Sequence, residues 1–181
     1  MNTVELESMA IEMPEVEGHP NREPFRGVLT LVGVKSDRAP SGARGHRVVL
    51  TRAAAEAALP SLLGMALDYT PELDRHDVRR KVGVITRAEI VGRNLELAGY
   101  FFAKDFPEIV KEIGRANRRY RRAADGTLAA PQLGMSYEIA DAQVADMRAS
   151  VWTLTRVTFT GAAILRRDKA AYQETWIELG G

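Results

Sequence analysis

The sequence contains no cysteine. Disulfide bonds, thiolate nucleophiles, cysteine-ligated zinc and redox chemistry without a bound cofactor are therefore excluded. Histidine is nearly as scarce, with 3 residues in 181. Any chemistry that needs an imidazole must draw on His19, His46 or His76.

Long apolar runs and an excess of charge of one sign are also missing. No stretch approaches the roughly 18 apolar residues of a membrane span, and the first twenty residues lack the basic start and apolar stretch of a secretion signal. We therefore expect a cytoplasmic protein. Lys+Arg number 25 against 24 Asp+Glu, for a net charge of +1, which argues against a protein that coats nucleic acid or an anionic membrane.

The chain does have enough apolar residues, 45% of 181, to bury one core. Residues 1–21 contain five glutamates and no Lys or Arg, and Pro14, Gly18 and Pro20 interrupt them. Local repulsion and turn-forming residues predict a flexible acidic arm there. The rest of the chain, residues 22–181, is predicted to form a single domain.

Apolar patterning predicts several strands and few helices. Predicted strands cover residues 25–34, 46–50, 82–91, 95–102, 133–139 and 151–159. Predicted helices follow a Thr51 cap, run from about 105 to 123, and cover a short segment around 168–172. Because a regular βαβ alternation is absent, we predict an α+β fold: a mostly antiparallel β-barrel or strongly bent sheet flanked by about three helices.

Ser136 is the candidate nucleophile that the strand pattern favours. It stands in Leu133-Gly-Met-Ser-Tyr-Glu138, where strand geometry places Ser136 and Glu138 on the same face. A serine hydroxyl needs a base to remove its proton, and histidine is the usual one. The alternative is a small structural serine whose hydroxyl bonds to the backbone, and each histidine can equally be an ordinary surface or structural residue.

The order of elements resembles a known family. His76-Asp77 precedes Val82-Gly-Val-Ile85 in a hairpin, and a helix, the Gly-Met-Ser strand and a closing strand over 152–160 follow. This arrangement, from about Phe25 to Tyr172, resembles the tailed-phage prohead proteases, the capsid maturation proteases related to herpesvirus assemblins.

The resemblance implies a serine endopeptidase on a β-barrel flanked by helices. It cleaves scaffold or capsid-protein arms inside an immature capsid in the host cytoplasm. It implies Ser136 as nucleophile and His76 as general base, with neither metal nor organic cofactor. The implied partners are the phage scaffold and the major capsid protein, with self-association during assembly; contact with a membrane or nucleic acid is not expected.

The third catalytic residue departs from the family pattern. An acid or a histidine on the closing strand orients the base there, and the matching position is Arg156. A fixed cation beside an imidazole lowers its basicity. Either the alignment slips, or Glu138, our first substitute, or another acid such as Asp77 orients His76, or the protein is an inactive relative.

Three other classes compete with the peptidase. A metal-dependent phosphohydrolase needs more histidine and carboxylate ligands than His76-Asp77 supplies. A non-catalytic capsid-assembly or scaffold-associated module would keep the fold and use its arm and arginine-rich helix for contacts. A small β-barrel that binds nucleic acid suits the near-zero net charge poorly.

Overall fold

The computed structural model describes residues 8–123 and 133–180, without the side chains of 120–123. The strands of these residues form one curled sheet. The strands are β1 Ser8–Ala10, β2 Glu23–Leu31, β3 Arg47–Leu50, β4 Ala66–Asp68, β5 Lys81–Val91, β6 Asn94–Phe101, β7 Leu133–Val144, β8 Val151–Arg166 and β9 Trp176–Leu179. The helices are α1 Arg52–Ala58 and α2 Pro107–Ala123, with a short 3-10 helix Leu59–Leu62. The α+β class is confirmed.

Seven strands follow one another in the order β3-β8-β4-β5-β6-β2-β9 and form a curled half-barrel, while β1 pairs with β5 and β7 with β8. The sheet is mixed, because β8 pairs in parallel with both β3 and β4. The remaining pairings are antiparallel. The predicted antiparallel sheet is therefore not quite matched.

The predicted hairpin is confirmed as β5 and β6, which pair from Gly83 opposite Phe101 to Val91 opposite Asn94. Its two-residue loop begins at Gly92, whose φ is 61°. Two-residue hairpin loops demand such positive φ angles, which glycine adopts without steric cost.

The connection between β3 and β4 places both of these strands against the same edge of β8. Thr51 caps α1 as predicted: its hydroxyl accepts a hydrogen bond from the backbone N–H of Ala54 at 3.1 Å. The 3-10 helix then returns the chain to β4. Since β3 pairs with the start of β8 and β4 pairs near its end, this connection runs along β8 and positions the end of β4.

The core lies between the curled sheet and α2. Its largest fully buried side chains include Phe25, Phe101 and Phe159, and α2 contributes Ile109 and Ile113. The predicted helix over 105–123 is confirmed, with Glu108 in its first turn. The predicted break at Asp125-Gly126 and the side chains of Arg121 and Arg122 lie outside the described residues.

Two sequence predictions differ from the structure near the C-terminus. The helix predicted around 168–172 is a series of turns, so the described residues contain two α-helices where about three helices were expected. The strand predicted over 151–159 is longer in the structure, because β8 continues to Arg166. Residues 161–165 are buried on both faces, which removes the alternation that identifies a strand.

The other differences concern segments predicted to lack regular structure. Within the predicted arm, Ser8–Ala10 form an edge strand opposite Arg87–Glu89, whereas residues 1–7 lie outside the described residues. The strand predicted over 133–139 is also longer in the structure, since β7 extends to Val144.

Candidate active site

Strand register places two polar side chains in one row across the sheet. Ser136 on β7 lies opposite Ala163 of β8, and Asp68 on β4 lies opposite the same Ala163 from the other edge. Residues that pair on neighbouring strands point to the same face. Ser136 and Asp68 therefore flank one small side chain, and Lys81 extends the row as the partner of Asp68 on β5.

A second row brings Glu138 to the same face. Glu138 follows Ser136 by two residues and lies opposite Gly161 of β8. A Cβ atom at Gly161 would lie 3.1 Å from Glu138 Oε2 and 3.4 Å from the carbonyl oxygen of Ala66. Glycine at this position therefore leaves the space that the Glu138 carboxylate occupies.

His76 reaches this face from the loop that joins β4 to β5. The loop is held at several points: the Asp74 carboxylate accepts a hydrogen bond from Thr70 Oγ1 at 3.0 Å, and the Leu73 carbonyl accepts one from Arg166 N at 2.6 Å. Directly after the histidine, the backbone N–H of Asp77 donates to Asp68 Oδ1 at 2.9 Å. These contacts fix the backbone on both sides of His76.

The two ring nitrogens of His76 face different chemistry. Nε2 lies 3.3 Å from Ser136 Oγ. Nδ1 lies 3.0 Å from Glu138 Oε1 and 3.8 Å from Asp68 Oδ2. An N–H on Nδ1 is the tautomer that two carboxylates favour, and it leaves Nε2 free to accept a proton from the hydroxyl.

The contact between His76 and Glu138 is close but not aligned. Nδ1 is inaccessible to solvent and has no directed hydrogen bond, although Glu138 Oε1 is only 3.0 Å away. The carboxylate therefore lies to the side of the ring N–H direction, and the contact is a close electrostatic one rather than a linear hydrogen bond. The side chains of His76 and Glu138 are 24% and 22% exposed.

Asp68 is the fully buried acid of this cluster, at 0% exposure. Burial by itself raises the pKa of a carboxyl group, but contact with His76, the Asp77 N–H and Lys81 Nζ at 3.4 Å together lower the pKa of Asp68 below its ordinary value. Asp68 is thus an ionised carboxylate near neutral pH.

The structure brings together Ser136, His76 and Glu138, the three residues that the sequence predicts; their catalytic roles remain predictions. The alternative Asp77 contributes its backbone N–H, whereas its carboxylate accepts from Arg79 N at 3.0 Å. Arg156 is exposed and lies opposite Gln143. It is five residues from Gly161, or roughly 16 Å along the strand, so it does not occupy the third position.

Sequence reasoning missed Asp68. A signal for it exists: Asp68 is a polar residue that ends the short apolar segment Met65-Ala-Leu67, eight residues before His76. Because that segment was not predicted to be a strand, Asp68 could not be placed on the sheet face that carries Ser136.

The other two histidines have structural contacts. His19 Nδ1 accepts a hydrogen bond from Asn21 N at 3.1 Å. His46 stacks on Trp152 with ring centroids 4.5 Å apart, and its Nδ1 lies 3.3 Å from the carbonyl oxygen of Ser150. Neither ring contacts Ser136 in the described part of the chain, which leaves His76 as the histidine beside this serine.

The cluster also has the residue types of a metal site. One ligand atom each from Asp68, His76 and Glu138 lie within 4.8 Å of one another. Both oxygens of Asp68 already have partners, however, in Asp77 N and the ammonium group of Lys81. Since a resident cation already compensates Asp68, the arrangement suits an imidazole that gains and loses a proton better than a divalent metal ion.

A small cavity adjoins Ser136 at the edge of β7, with walls that include Met135, Tyr137 and Tyr172. The Tyr137 hydroxyl is buried without a hydrogen-bond partner, and burial raises its pKa to about 12. In contrast, the Tyr172 hydroxyl donates to the carbonyl oxygen of Val34 at 2.9 Å. Because Met135 and Tyr137 alternate with Ser136 along β7, their side chains point to the opposite strand face from those of Ser136 and Glu138. The cavity is therefore an apolar recess behind the strand that carries Ser136.

Comparisons with known proteins add no identity to this geometry. No protein-family model matches the chain, and a search of curated proteins found no match. Among the described residues, no helix has the length and apolar character needed to cross a bilayer. The function is therefore inferred from the fold and from the cluster around His76.

Proposed function

We propose that this protein is a serine endopeptidase of the prohead maturation type, with Ser136 as nucleophile and His76 as general base. The observation that carries the proposal is the position of one imidazole between a hydroxyl and two acids: Nε2 is 3.3 Å from Ser136 Oγ, and Nδ1 faces Glu138 and Asp68. This is the arrangement of groups that activates a serine.

The chemistry follows from that arrangement. Ser136 Oγ attacks the scissile carbonyl carbon while Nε2 takes the hydroxyl proton, and the carboxylates at Nδ1 stabilise the imidazolium. Collapse of the tetrahedral intermediate breaks the C–N bond, and the imidazolium donates its proton to the leaving amine. A water molecule, activated by the same base, then hydrolyses the acyl-enzyme.

The substrates we propose follow from the family resemblance. They are the scaffold and the arms of the major capsid protein, cleaved inside the immature capsid in the host cytoplasm, with self-association of the protease during assembly. The arrangement that supports this proposal is a half-barrel sheet with the histidine loop before the hairpin and the Gly-Met-Ser strand after the helix.

The test is cleavage of the cognate scaffold and capsid protein by the purified full chain. We expect Ser136→Ala and His76→Ala to abolish cleavage while circular dichroism stays unchanged. Ser41→Ala and His19→Ala are matched controls, because Ser41 is an exposed loop residue and His19 contacts Asn21. Cleavage that persists in the Ser136→Ala protein would reject the assignment.

A non-catalytic capsid-assembly module is the second candidate. It is favoured by the long 3.3 Å separation between Nε2 and Oγ and by the absence of a directed hydrogen bond at Nδ1. A fluorophosphonate probe separates the two candidates, because an unactivated serine stays unlabelled. Labelling of Ser136 that is lost in His76→Ala supports the peptidase; no labelling in a folded protein supports the assembly module.

A further inference from the structure

Two acids face one nitrogen of His76, and the second of them has no role in the sequence-based scheme. We propose that Asp68 is a positioning residue for His76: it anchors the backbone of the histidine loop and supplies a permanent negative charge to the Nδ1 side of the ring. This inference rests on the proposed function for its catalytic consequence, but its physical content can be measured without any substrate.

Asp68 anchors the backbone of the loop that carries His76. Asp68 Oδ1 accepts a hydrogen bond from the N–H of Asp77, the residue that directly follows His76, at 2.9 Å. Asp68 itself is held by the β4 pairings with β8 and β5. The carboxylate therefore connects a fixed strand to the loop that carries the imidazole. Because this loop is already held in place, orienting the His76 ring costs little further conformational entropy.

Asp68 also supplies a negative charge to the ring. Its Oδ2 lies 3.8 Å from His76 Nδ1, beyond hydrogen-bond length but close enough for the charge to favour an N–H at Nδ1. Asp68 is completely buried, so water screens its charge less than that of Glu138, which is 22% exposed.

The surroundings of the ring limit the groups that compete. Facing the imidazole are Asp68 from β4 and Glu138 from β7, and Lys81 from β5 acts through its 3.4 Å contact with Asp68. The β8 residues in the same two rows are Gly161 and Ala163, which carry no charge. The Asp77 carboxylate is engaged by Arg79 N. Lys81 partly neutralises the charge of Asp68. Two carboxylates and one ammonium group still leave a net negative charge beside the ring.

The experiment measures the tautomer of the neutral His76 ring from its ¹⁵N NMR shifts in the Ser136→Ala protein, which excludes self-cleavage. With 3 histidines in the chain, a His76→Gln spectrum assigns the signal. We expect Asp68→Asn, which keeps an oxygen acceptor for Asp77 N–H, to lower the share of the Nδ1–H tautomer, because the ring N–H loses one of the two carboxylates that it faces. Glu56→Gln is the control, since Glu56 is also buried but is paired with Arg52 on α1, and it should leave the tautomer unchanged.

A second measurement protects the test against an Asp68→Asn protein that does not fold. In Glu138→Gln, Asp68 is the remaining carboxylate at Nδ1. We expect the ¹⁵N shifts of the neutral ring to show the Nδ1–H tautomer in this variant, although an imidazole free in water prefers the other one. A ring that reverts to the Nε2–H form in Glu138→Gln, or an unchanged share of the Nδ1–H tautomer in folded Asp68→Asn, overturns the proposal.

Activity then separates this inference from the proposed function. If the chain cleaves scaffold, Asp68→Asn should reduce kcat at least 10-fold, since fewer rings present an unprotonated Nε2 to Ser136. A loss of stability alone does not change the tautomer in the folded protein. If the tautomer changes and the wild-type chain cleaves nothing, the peptidase proposal fails while the role of Asp68 as a positioning residue stands.

Discussion

The hairpin of β7 and β8 has two halves with opposite properties. Near the start of β7 and the end of β8, Leu133–Met135 and residues 161–165 are buried, and the loop that carries His76 covers the sheet face. In the other half, Ala140–Gln143 and Arg156 are exposed, although Trp152, Leu154 and Val157 of β8 stay buried. The same two strands thus form a covered cluster at one end and a pair with one solvated face at the other.

This comparison explains the arginine that does not fit the family pattern. Arg156 belongs to the exposed half, opposite Gln143, whereas Glu138 and Gly161 belong to the covered half. A cation in the solvated half is screened and does not act on His76. The two acids that face the imidazole are Asp68 on β4 and Glu138 on β7. Strand β8 lies between these two strands.

The most damaging change to the covered half should be Gly161→Val. The first added carbon would meet Glu138 Oε2 at 3.1 Å and the Ala66 carbonyl oxygen at 3.4 Å, so the carboxylate must move away from His76. A displacement of about 1 Å at a catalytic group can cost roughly 100-fold in rate. We expect at least that loss in kcat/KM for scaffold cleavage, and circular dichroism checks that the variant still folds.

Arg156→Ala is the matched change in the exposed half. Because Arg156 is roughly 16 Å along β8 from Gly161, we expect its removal to leave kcat/KM within about twofold of wild type. A large effect of Arg156→Ala, or none of Gly161→Val, would contradict the division of the hairpin into two functional halves.

Gly134→Ala should reduce stability at the buried end of the same hairpin. A Cβ atom there would lie 2.6 Å from Thr175 Oγ1, which accepts a hydrogen bond from Met135 N and donates one to the carbonyl oxygen of Tyr172. Overpacking of this kind costs about 1–3 kcal/mol. Urea unfolding of Gly134→Ala against Ala140→Gly, in the exposed half, measures the difference; a Gly134→Ala protein as stable as wild type would show that the segment around Thr175 can shift.

The sequence predicted most of the local structure, because patterns with a local cause are visible in it. The alternation of β5 and β6 around Gly92 and the cap at Thr51 depend on neighbouring residues alone. The strand predicted over 151–159 stopped short of the end of β8, because residues 161–165 are apolar and buried on both faces and strand formation there depends on β4 and β7. Long-range pairing overrode local preference.

The site was predictable to the extent that its members share a strand or a motif. Ser136 and Glu138 follow from strand alternation on β7, and His76 follows from the family resemblance. Asp68 could not be found in this way, since its place beside His76 depends on the parallel pairing of β4 with β8 and on a loop that folds back over the sheet. Such contacts are set by topology, which residue spacing does not reveal.

The buried charge of Asp68 predicts a pH dependence of stability. Its pKa is lower in the folded protein than in the unfolded chain, whose ordinary value is 3.8. The stability that the ionised group contributes is therefore present above about pH 4 and is lost as the pH falls through the folded pKa. We expect the stability difference between wild type and Asp68→Asn to shrink between pH 6 and 3 in urea unfolding. A difference that is constant over this range would mean that the carboxylate is not charged in the folded state.

The smallest effect concerns two tyrosines on the walls of the cavity beside Ser136. The Tyr172 hydroxyl donates to the Val34 carbonyl oxygen, so Tyr172→Phe should leave a buried acceptor unsatisfied and cost about 1 kcal/mol. The Tyr137 hydroxyl has no hydrogen-bond partner among the described residues. Because a phenyl ring removes a buried, unsatisfied polar group, Tyr137→Phe should leave the free energy of unfolding unchanged or raise it by up to about 1 kcal/mol. Equal destabilisation by both substitutions would show that the Tyr137 hydroxyl gains a hydrogen bond in solution, and the recess behind the strand of Ser136 would then be polar.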